Sequence, residues 1–265
     1  MTDSTTGGIE ALVSFGMEVI REAGEKALSY YGKGKQGLKF DESLVTEAEI
    51  EVNGIFADRL KSAYPRHRTL SEIHEDRDYS HEEKRYVWIF DPLDGVANFQ
   101  AGIPIWGVSL ALFENFWPLF GTFYMAATGD LFHARAGESA LLNDRPISVS
   151  AQERINDESL LFTFSRFHGN YRTTFPGKIR NLGCTAAHIC YVAMGRAEAA
   201  VIANESYQDL AAGWVIVRAA GGRIYRMDGT EFLLGDYLDG EQREEHLLVV
   251  PPEIHSQVRK HLRAG

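Results

Sequence analysis

Apolar residues Leu12, Val13, Met17, Val19, Ile20 and Ala27 recur at mostly helical spacing and predict a helix over 9–31, closed by the Gly/Lys-rich stretch 32–37. A second helix is predicted over 46–63, with Ile50, Ile55, Leu60 and Ala63 largely on one face. Thr46 is placed to cap it, with Glu49 completing a capping box, and Tyr64-Pro65 stops it. A short strand over 69–71 and a charged, exposed loop over 74–84 follow. The run 86–90 is apolar and aromatic and reads as a buried strand. Consecutive strands are predicted over 106–113, 118–125 and 131–136, turned at Glu114-Asn115 and Thr128-Gly129-Asp130. Strands over 160–164, 199–202, 223–226 and 247–250 alternate with helices over 184–194, 210–220 and 252–262. Strand runs interleaved with helix pairs imply layered α and β, and no internal repeat, low-complexity tract or linker divides the chain.

The strand 86–90 leads into Asp91-Pro92-Leu93-Asp94-Gly95. Carboxylates at the C-terminal edge of a buried strand lie where α/β proteins hold ligands. Pro92 fixes one backbone angle and limits how far Asp91 and Asp94 swing apart. Two hard oxygen donors on a stiff turn suit Mg²⁺, which is held by few carboxylates plus substrate phosphate. The same residues are common in plain turns, so spacing alone leaves both readings open.

Composition narrows the field. The chain has 265 residues, enough for one large domain or two intimate halves. Its formal charge of −10 argues against non-specific nucleic-acid binding, which needs clustered Lys and Arg. A phosphate substrate stays compatible, because bound metal inverts the local field. Cys184 and Cys190 are the only cysteines, too few for a disulfide framework. The stretch Met1 to Gly8 has no signal-peptide pattern, and no apolar run approaches the roughly 20 residues of a membrane span. A cytoplasmic protein away from membranes is expected. His67, His74, His81 and His188 lack zinc-like spacing and read as packing or surface residues.

The run from Asp91 through Gly95-Val96-Ala97-Asn98-Phe99, with Gly102-Ile103-Pro104 and Val108-Ser109-Leu110, resembles the signature of the inositol monophosphatase family. Further matches follow in order: Leu44-Val45-Thr46; Tyr64-Pro65 with Leu70-Ser71-Glu72; the hairpin from Leu142 to Ser150; Arg180 to Ala187 with Tyr191 to Gly195; and Asp209 to Gly213 with Ala220-Gly221-Gly222. The resemblance runs from about residue 10 to about residue 260. It implies an α+β layered fold, the αβαβα sandwich shared with fructose-1,6-bisphosphatase. Two fused halves, residues 1–150 and 151–265, would form one compact unit. It also implies a Mg²⁺-dependent, lithium-sensitive phosphatase acting on a small phosphorylated metabolite, and a homodimer. The apolar segment 106–124 is the expected dimer interface.

By the same resemblance, Glu72, Asp91, Asp94 and Asp209 occupy carboxylate metal-ligand positions and Leu93 offers its carbonyl. Two or three Mg²⁺ ions are implied. Two ions about 3.5–4 Å apart can both activate a water and neutralise the leaving oxygen. Asp91 would bridge them, Asp94 and Asp209 would hold the ion near the leaving group, and Glu72 the ion carrying the attacking water. Read singly, Glu72 is also compatible with an ordinary surface glutamate, and Asp209 with a helix N-cap. Phosphate would meet backbone N–H groups at Gly95, Val96 and Ala97 and at Gly183, Cys184, Thr185 and Ala186, with Asp94 also lining the substrate, since helix N-termini attract anions. Cys184 there reads as a space-filling residue rather than a nucleophile.

Departures from the family pattern bear on mechanism. Val96 stands where the family has a threonine whose hydroxyl orients the attacking water. Ile73 replaces the second glutamate of a pair, Glu49 an aspartate, Ser43 another aspartate, and Gln208 a tryptophan. Ile202 falls where the family has an acid that binds inositol hydroxyls, and an apolar side chain cannot pair a hydroxyl. Glu205 lies close enough in sequence to substitute. Two functions follow: an active phosphatase in which Thr46, Glu49 or the metal site offsets the loss at Val96, or a weakened relative acting as a binding or regulatory protein. Four converging carboxylates, which repel one another without a cation, favour the first.

Overall fold

The computed structural model describes residues 6–33, 42–70, 72, 86–237 and 244–265. Helix α1 (Thr6–Leu28) buries Leu12, Phe15, Val19, Ile20, Ala23 and Ala27 along one stripe. Helix α2 (Glu42–Ala63) does the same with Val45, Ala48, Val52, Phe56 and Leu60. The two pack side by side on one face of a seven-stranded sheet. That sheet runs in sequence order through β1 (Arg68–Thr69), β2 (Tyr86–Asp94), β3 (Gly107–Glu114), β4 (Trp117–Met125), β5 (Asp130–Arg135), β6 (Leu141–Leu142) and β7 (Arg145–Pro146). Only the β1–β2 pair within it is parallel.

A five-stranded sheet lies beyond, in the order β10 (Lys178–Arg180), β8 (Leu160–Thr163), β11 (Ala199–Ala203), β13 (His246–Val250), β12 (Arg223–Arg226). Helices α5 (Thr185–Ala193) and α6 (Tyr207–Ala219) fill the space between the sheets. There Ala186, Ile189, Leu210 and Ile216 meet Phe113 and Phe123 from one side and Ile202 and Val249 from the other. The last layer holds short helices α4 (Phe167–Asn170) and α7 (His255–Arg259) and the ribbon β9 (Tyr171–Thr173)–β14 (Leu262–Ala264), packed on Leu161, Val201 and Leu248. The layers therefore run α, β, α, β, α. No helix among the described residues is long and apolar enough to cross a membrane.

Strand β2 explains why its sequence is apolar without alternation. Val87 and Ile89 face the central helices, while Trp88 and Phe90 face α1 and α2. A strand covered on both faces reads as a continuous apolar run.

Several expectations are corrected. Strand β2 extends through Asp94 instead of ending at Phe90. Helix α2 begins at Glu42, so Thr46 lies inside it and its hydroxyl donates to the Glu42 carbonyl (2.9 Å) rather than capping a first turn. The β3–β4 turn is Asn115-Phe116, both at positive φ (49° and 65°), the twist that tight hairpins require. The predicted helix over 252–262 is a 3₁₀ turn, then α7, then β14. Beyond these corrections, the segment 106–124 covers β3 and β4 in the middle of the first sheet. Trp106 and Phe123 are fully buried, and Trp117 alone stands well exposed there. The loop over 74–84, Ser71 and most of 32–37 lie outside the described residues.

Candidate active site

The β2–β3 register shifts between Asp91 and Asp94. Such irregularities re-aim side chains. Asp91 is buried, and its Oδ1 accepts from Leu93 N (3.1 Å). Gly95 follows at φ 87°, and a Cβ there would lie 2.9 Å from the Ile105 carbonyl and 3.1 Å from Cys184 Cβ. Only glycine combines that backbone angle with that approach. Helix α3 (Val96–Ala101) starts next, with Val96 packed on the α1–α2 core and Ala97 exposed.

Asp94 reaches across to the second layer of helices. Its Oδ2 accepts from Ala186 N (2.5 Å) and its Oδ1 from Thr185 N (3.3 Å). Asp94 therefore caps α5, whose own N-cap, Cys184, makes no side-chain cap bond. The N–H groups expected to meet phosphate at Thr185 and Ala186 are taken by this carboxylate, the nearest anion to a positive helix end. Thr185 Oγ1 donates to Glu205 Oε1 (2.7 Å).

Asp209 is the third residue of α6, and Ser206 rather than Asp209 is the cap. Ser206 N donates to Asp209 Oδ2 (2.7 Å), and Asp209 N to Ser206 Oγ (3.4 Å), a capping box. Two contacts hold this helix against the first sheet, at β2 and β4. Gln208 Nε2 donates to the Phe90 carbonyl (2.6 Å), and Gly121 lets β4 approach so closely that a Cβ would sit 2.8 Å from the Ala212 carbonyl.

Several of these carboxylates act on one another electrostatically. Burial first, then Asp94, Asp209 and Glu49, push the Asp91 carboxyl well above its ordinary range. Burial raises Asp94 despite its N–H partners, with Asp209 adding to the rise. Burial, Asp209 and Asp94 lift Glu205 well up, and burial lifts Glu49 on α2. Asp91 thus meets repulsion from Asp94, Asp209 and Glu49, Asp94 from Asp209, and Glu205 from Asp209 and Asp94. Glu72 is exposed, and its Oε2 accepts from Thr69 N (2.7 Å) beside a groove it lines with Phe90 and Gln208. Among the described residues no three His, Cys, Asp or Glu side chains form a ready coordination set. Asp94, Asp209 and Glu72 each hold a backbone N–H instead. The donors are all hard oxygens, each with spare lone pairs, the set that suits Mg²⁺ rather than a thiophilic ion.

Burial pushes both thiols, Cys184 and Cys190, well up, and so withdraws them from nucleophilic chemistry. His67 and His188 are neutral acceptors, each lowered by burial to about 4. Trp88 Nε1 donates to His67 Nδ1 (3.0 Å), and Leu182 N to His188 Nε2 (2.9 Å).

Asn98, His188, Gln208 and Ser206 have roles at the site that the sequence reading does not assign. Asn98 Nδ2 donates to the Ile105 and Leu182 carbonyls (2.6 Å each), tying the loop after Asp94 to the loop before α5. Gly183, at φ 74°, sits against that amide. His188 and Gln208 act through the bonds given above. Ser206 alone had a local signal, the Ser-x-x-Asp spacing to Asp209.

A family model for the inositol monophosphatase family matches residues 9–262. An inositol-1-monophosphatase of Mesorhizobium japonicum is 29% identical over 84% of this chain and 88% of that relative. A Nus factor SuhB of Xylella fastidiosa is 33% identical over 67% of this chain and 66% of the relative. The solved structure of a Thermotoga maritima IMPase superposes with a TM-score of 0.76 at 25% identity, covering 94% of this chain and 96% of that one.

Proposed function

The chain belongs to the inositol monophosphatase family, and from that premise we propose that it is a Mg²⁺-dependent phosphatase hydrolysing a small phosphate monoester of the inositol, sugar or polyol kind. The observation that carries this reading is the proximity of four carboxylates: Thr185 bonds both Asp94 and Glu205, and Gln208, next to Asp209, bonds the carbonyl of Phe90, next to Asp91, so that a divalent cation would offset their repulsion.

Asp91, Asp94, Asp209 and Glu72, with the Leu93 carbonyl, are the residues that would hold two or three Mg²⁺ ions. When bound, Mg²⁺ supplies charge neutralisation for phosphate oxygens and an acidified water. This chain's residues do the rest. The rigid turn Asp91–Gly95 fixes two carboxylates relative to the strand. The Gly95-Val96-Ala97 backbone borders the phosphate, while Asp94 takes the Thr185 and Ala186 N–H groups. Val96 brings no hydroxyl, and the Thr46 hydroxyl is committed to the Glu42 carbonyl. Glu49, whose raised carboxyl lies within electrostatic reach of Asp91, is therefore assigned to orient the attacking water. The halves 1–150 and 151–265 act as one unit with this cleft between them. A cytoplasmic homodimer inhibited by lithium completes the reading.

The test is inorganic phosphate release from inositol 1-phosphate, fructose 1,6-bisphosphate and an adenosine 3′,5′-bisphosphate, with Mg²⁺ and with EDTA. Mg²⁺-dependent turnover of any one supports the reading. Mg²⁺ binding with no turnover would replace it with a binding role.

A further inference from the structure

A cavity of about 250 Å³ opens off the Asp94 side of the cleft. Phe164, Ser165, His188, Ile202, Asn204 and Glu205 line it, together with the loop around Gly183. Thr185 stands at the junction. Its N–H goes to Asp94, on the phosphate side, and its hydroxyl to Glu205, on the side where the esterified alcohol would lie.

The charge in this cavity has one sign. Among the described residues no lysine or arginine lines it, and His188 is neutral, its Nε2 occupied by Leu182 N–H. Among the described residues Glu205 is the only acidic one lining it, held by Thr185 Oγ1 and by the Ala203 backbone, with Asp94 and Asp209 close behind. Ile202, on β11, contributes an apolar wall. A second phosphate or a carboxylate on the alcohol would meet carboxylate with no cation to pair it. A hydroxyl on the Ile202 side would lose its water and gain no partner. An ammonium group would pair Glu205 and relieve its repulsion with Asp94 and Asp209.

We infer that this cavity selects phosphate monoesters of amino-substituted polyols, with the Glu205 carboxylate pairing the substrate's ammonium group. The inference rests on the phosphatase reading for the position of the phosphate, and it names the alcohol that reading leaves open. Glu205 is a specificity residue here, remote from the bond that breaks.

The test compares 2-amino-1,3-propanediol monophosphate, glycerol 3-phosphate and 3-phosphoglycerate. The first two differ only at C2, where an ammonium replaces a hydroxyl; the third keeps that hydroxyl and carries a carboxylate in place of the terminal CH2OH. With Mg²⁺, kcat/KM should fall in that order, with the amine ahead of the hydroxyl by about tenfold, the scale of one charge-assisted hydrogen bond. In Glu205→Gln, which keeps an acceptor for Thr185, the amine-to-hydroxyl ratio should fall to about one. Equal kcat/KM for amine and hydroxyl in the natural chain, or an unchanged ratio in the variant, overturns the inference. Calorimetric binding of the same esters gives a readout independent of turnover. The predicted binding order without hydrolysis would sink the phosphatase reading and leave the cavity's specificity standing. Hydrolysis without any order would do the reverse.

Discussion

Asp94, at the end of a strand in the first sheet, accepts a 2.5 Å hydrogen bond from the backbone N–H of Ala186, in the first turn of a helix between the sheets. One carboxylate thus caps a distant helix and belongs to the cluster proposed to hold metal. Asp94→Asn keeps the shape and an acceptor for Ala186 while removing the charge. Mg²⁺-dependent turnover should fall by at least about 10²–10³, with far-UV circular dichroism unchanged. Full activity in this variant would contradict the site.

Mutual repulsion predicts a stability response to Mg²⁺. Asp91, Asp94 and Glu205 are raised chiefly by burial, with Asp209 adding to the rise at all three and Asp94 adding at Asp91 and Glu205. An ion that binds only the folded chain adds about 2.7 kcal/mol at a hundred times its Kd. Thermal unfolding should shift upward with Mg²⁺, and EDTA should reverse the shift. A melting temperature indifferent to both would contradict the metal assignment.

Strand β2 was legible because Val87 to Phe90 is buried on both faces, a property of local composition. The Asp91–Asp94 spacing was legible for the same reason, since proline and glycine fix the turn locally. Thr46 was misplaced because a cap depends on where the helix starts, and α2 starts one turn earlier, at Glu42. Asn98 and Gln208 were invisible because their partners are remote. Asn98 bonds Leu182, and Gln208 bonds Phe90 across a separation of 118 residues. The C-terminal helix failed because a 3₁₀ turn, a five-residue helix and a ribbon strand share too few residues to show a period.

Val96→Thr should restore the missing hydroxyl. Val96 is partly buried against the α1–α2 core, so a small loss of stability, about 1 kcal/mol, is expected. A positioned proton-transfer group contributes about 10²–10⁴ in rate, and Glu49 already supplies part of that role, so kcat should rise about tenfold. Steady-state kinetics decides it, and an unchanged or lower kcat would show that the position does not orient water.

His188 makes stability depend on pH in a defined direction. Burial lowers its folded pKa to about 4, against about 6.5 in the unfolded chain. The unfolded chain therefore takes up this proton first. The contribution is fully present above about pH 6.5, falls as pH drops, and levels off below about 4, with a total of about 3 kcal/mol. The raised carboxylates run the other way, gaining stability as pH falls. The difference between the natural chain and His188→Gln isolates the histidine. Denaturant unfolding at neutral and at acid pH should show a steeper acid loss in the natural chain, and parallel profiles would contradict this assignment.

Gly95→Ala tests the turn. The φ of 87° and the 2.9 Å approach to the Ile105 carbonyl both oppose a Cβ, so a loss of about 1–3 kcal/mol is expected. Because Gly95 also touches Cys184, activity should fall with it. A variant as stable as the natural chain would mean that the loop adopts another path.

The central claim is that the Asp91–Asp94–Asp209 cleft performs Mg²⁺-dependent phosphate ester hydrolysis. Its most direct test is a Mg²⁺ titration of phosphate release, run side by side on the natural chain and on Asp91→Asn. The account predicts saturable activation by Mg²⁺ in the natural chain, abolished by EDTA and absent from the variant. Turnover that persists in EDTA, or that survives in Asp91→Asn at the natural rate, would contradict it.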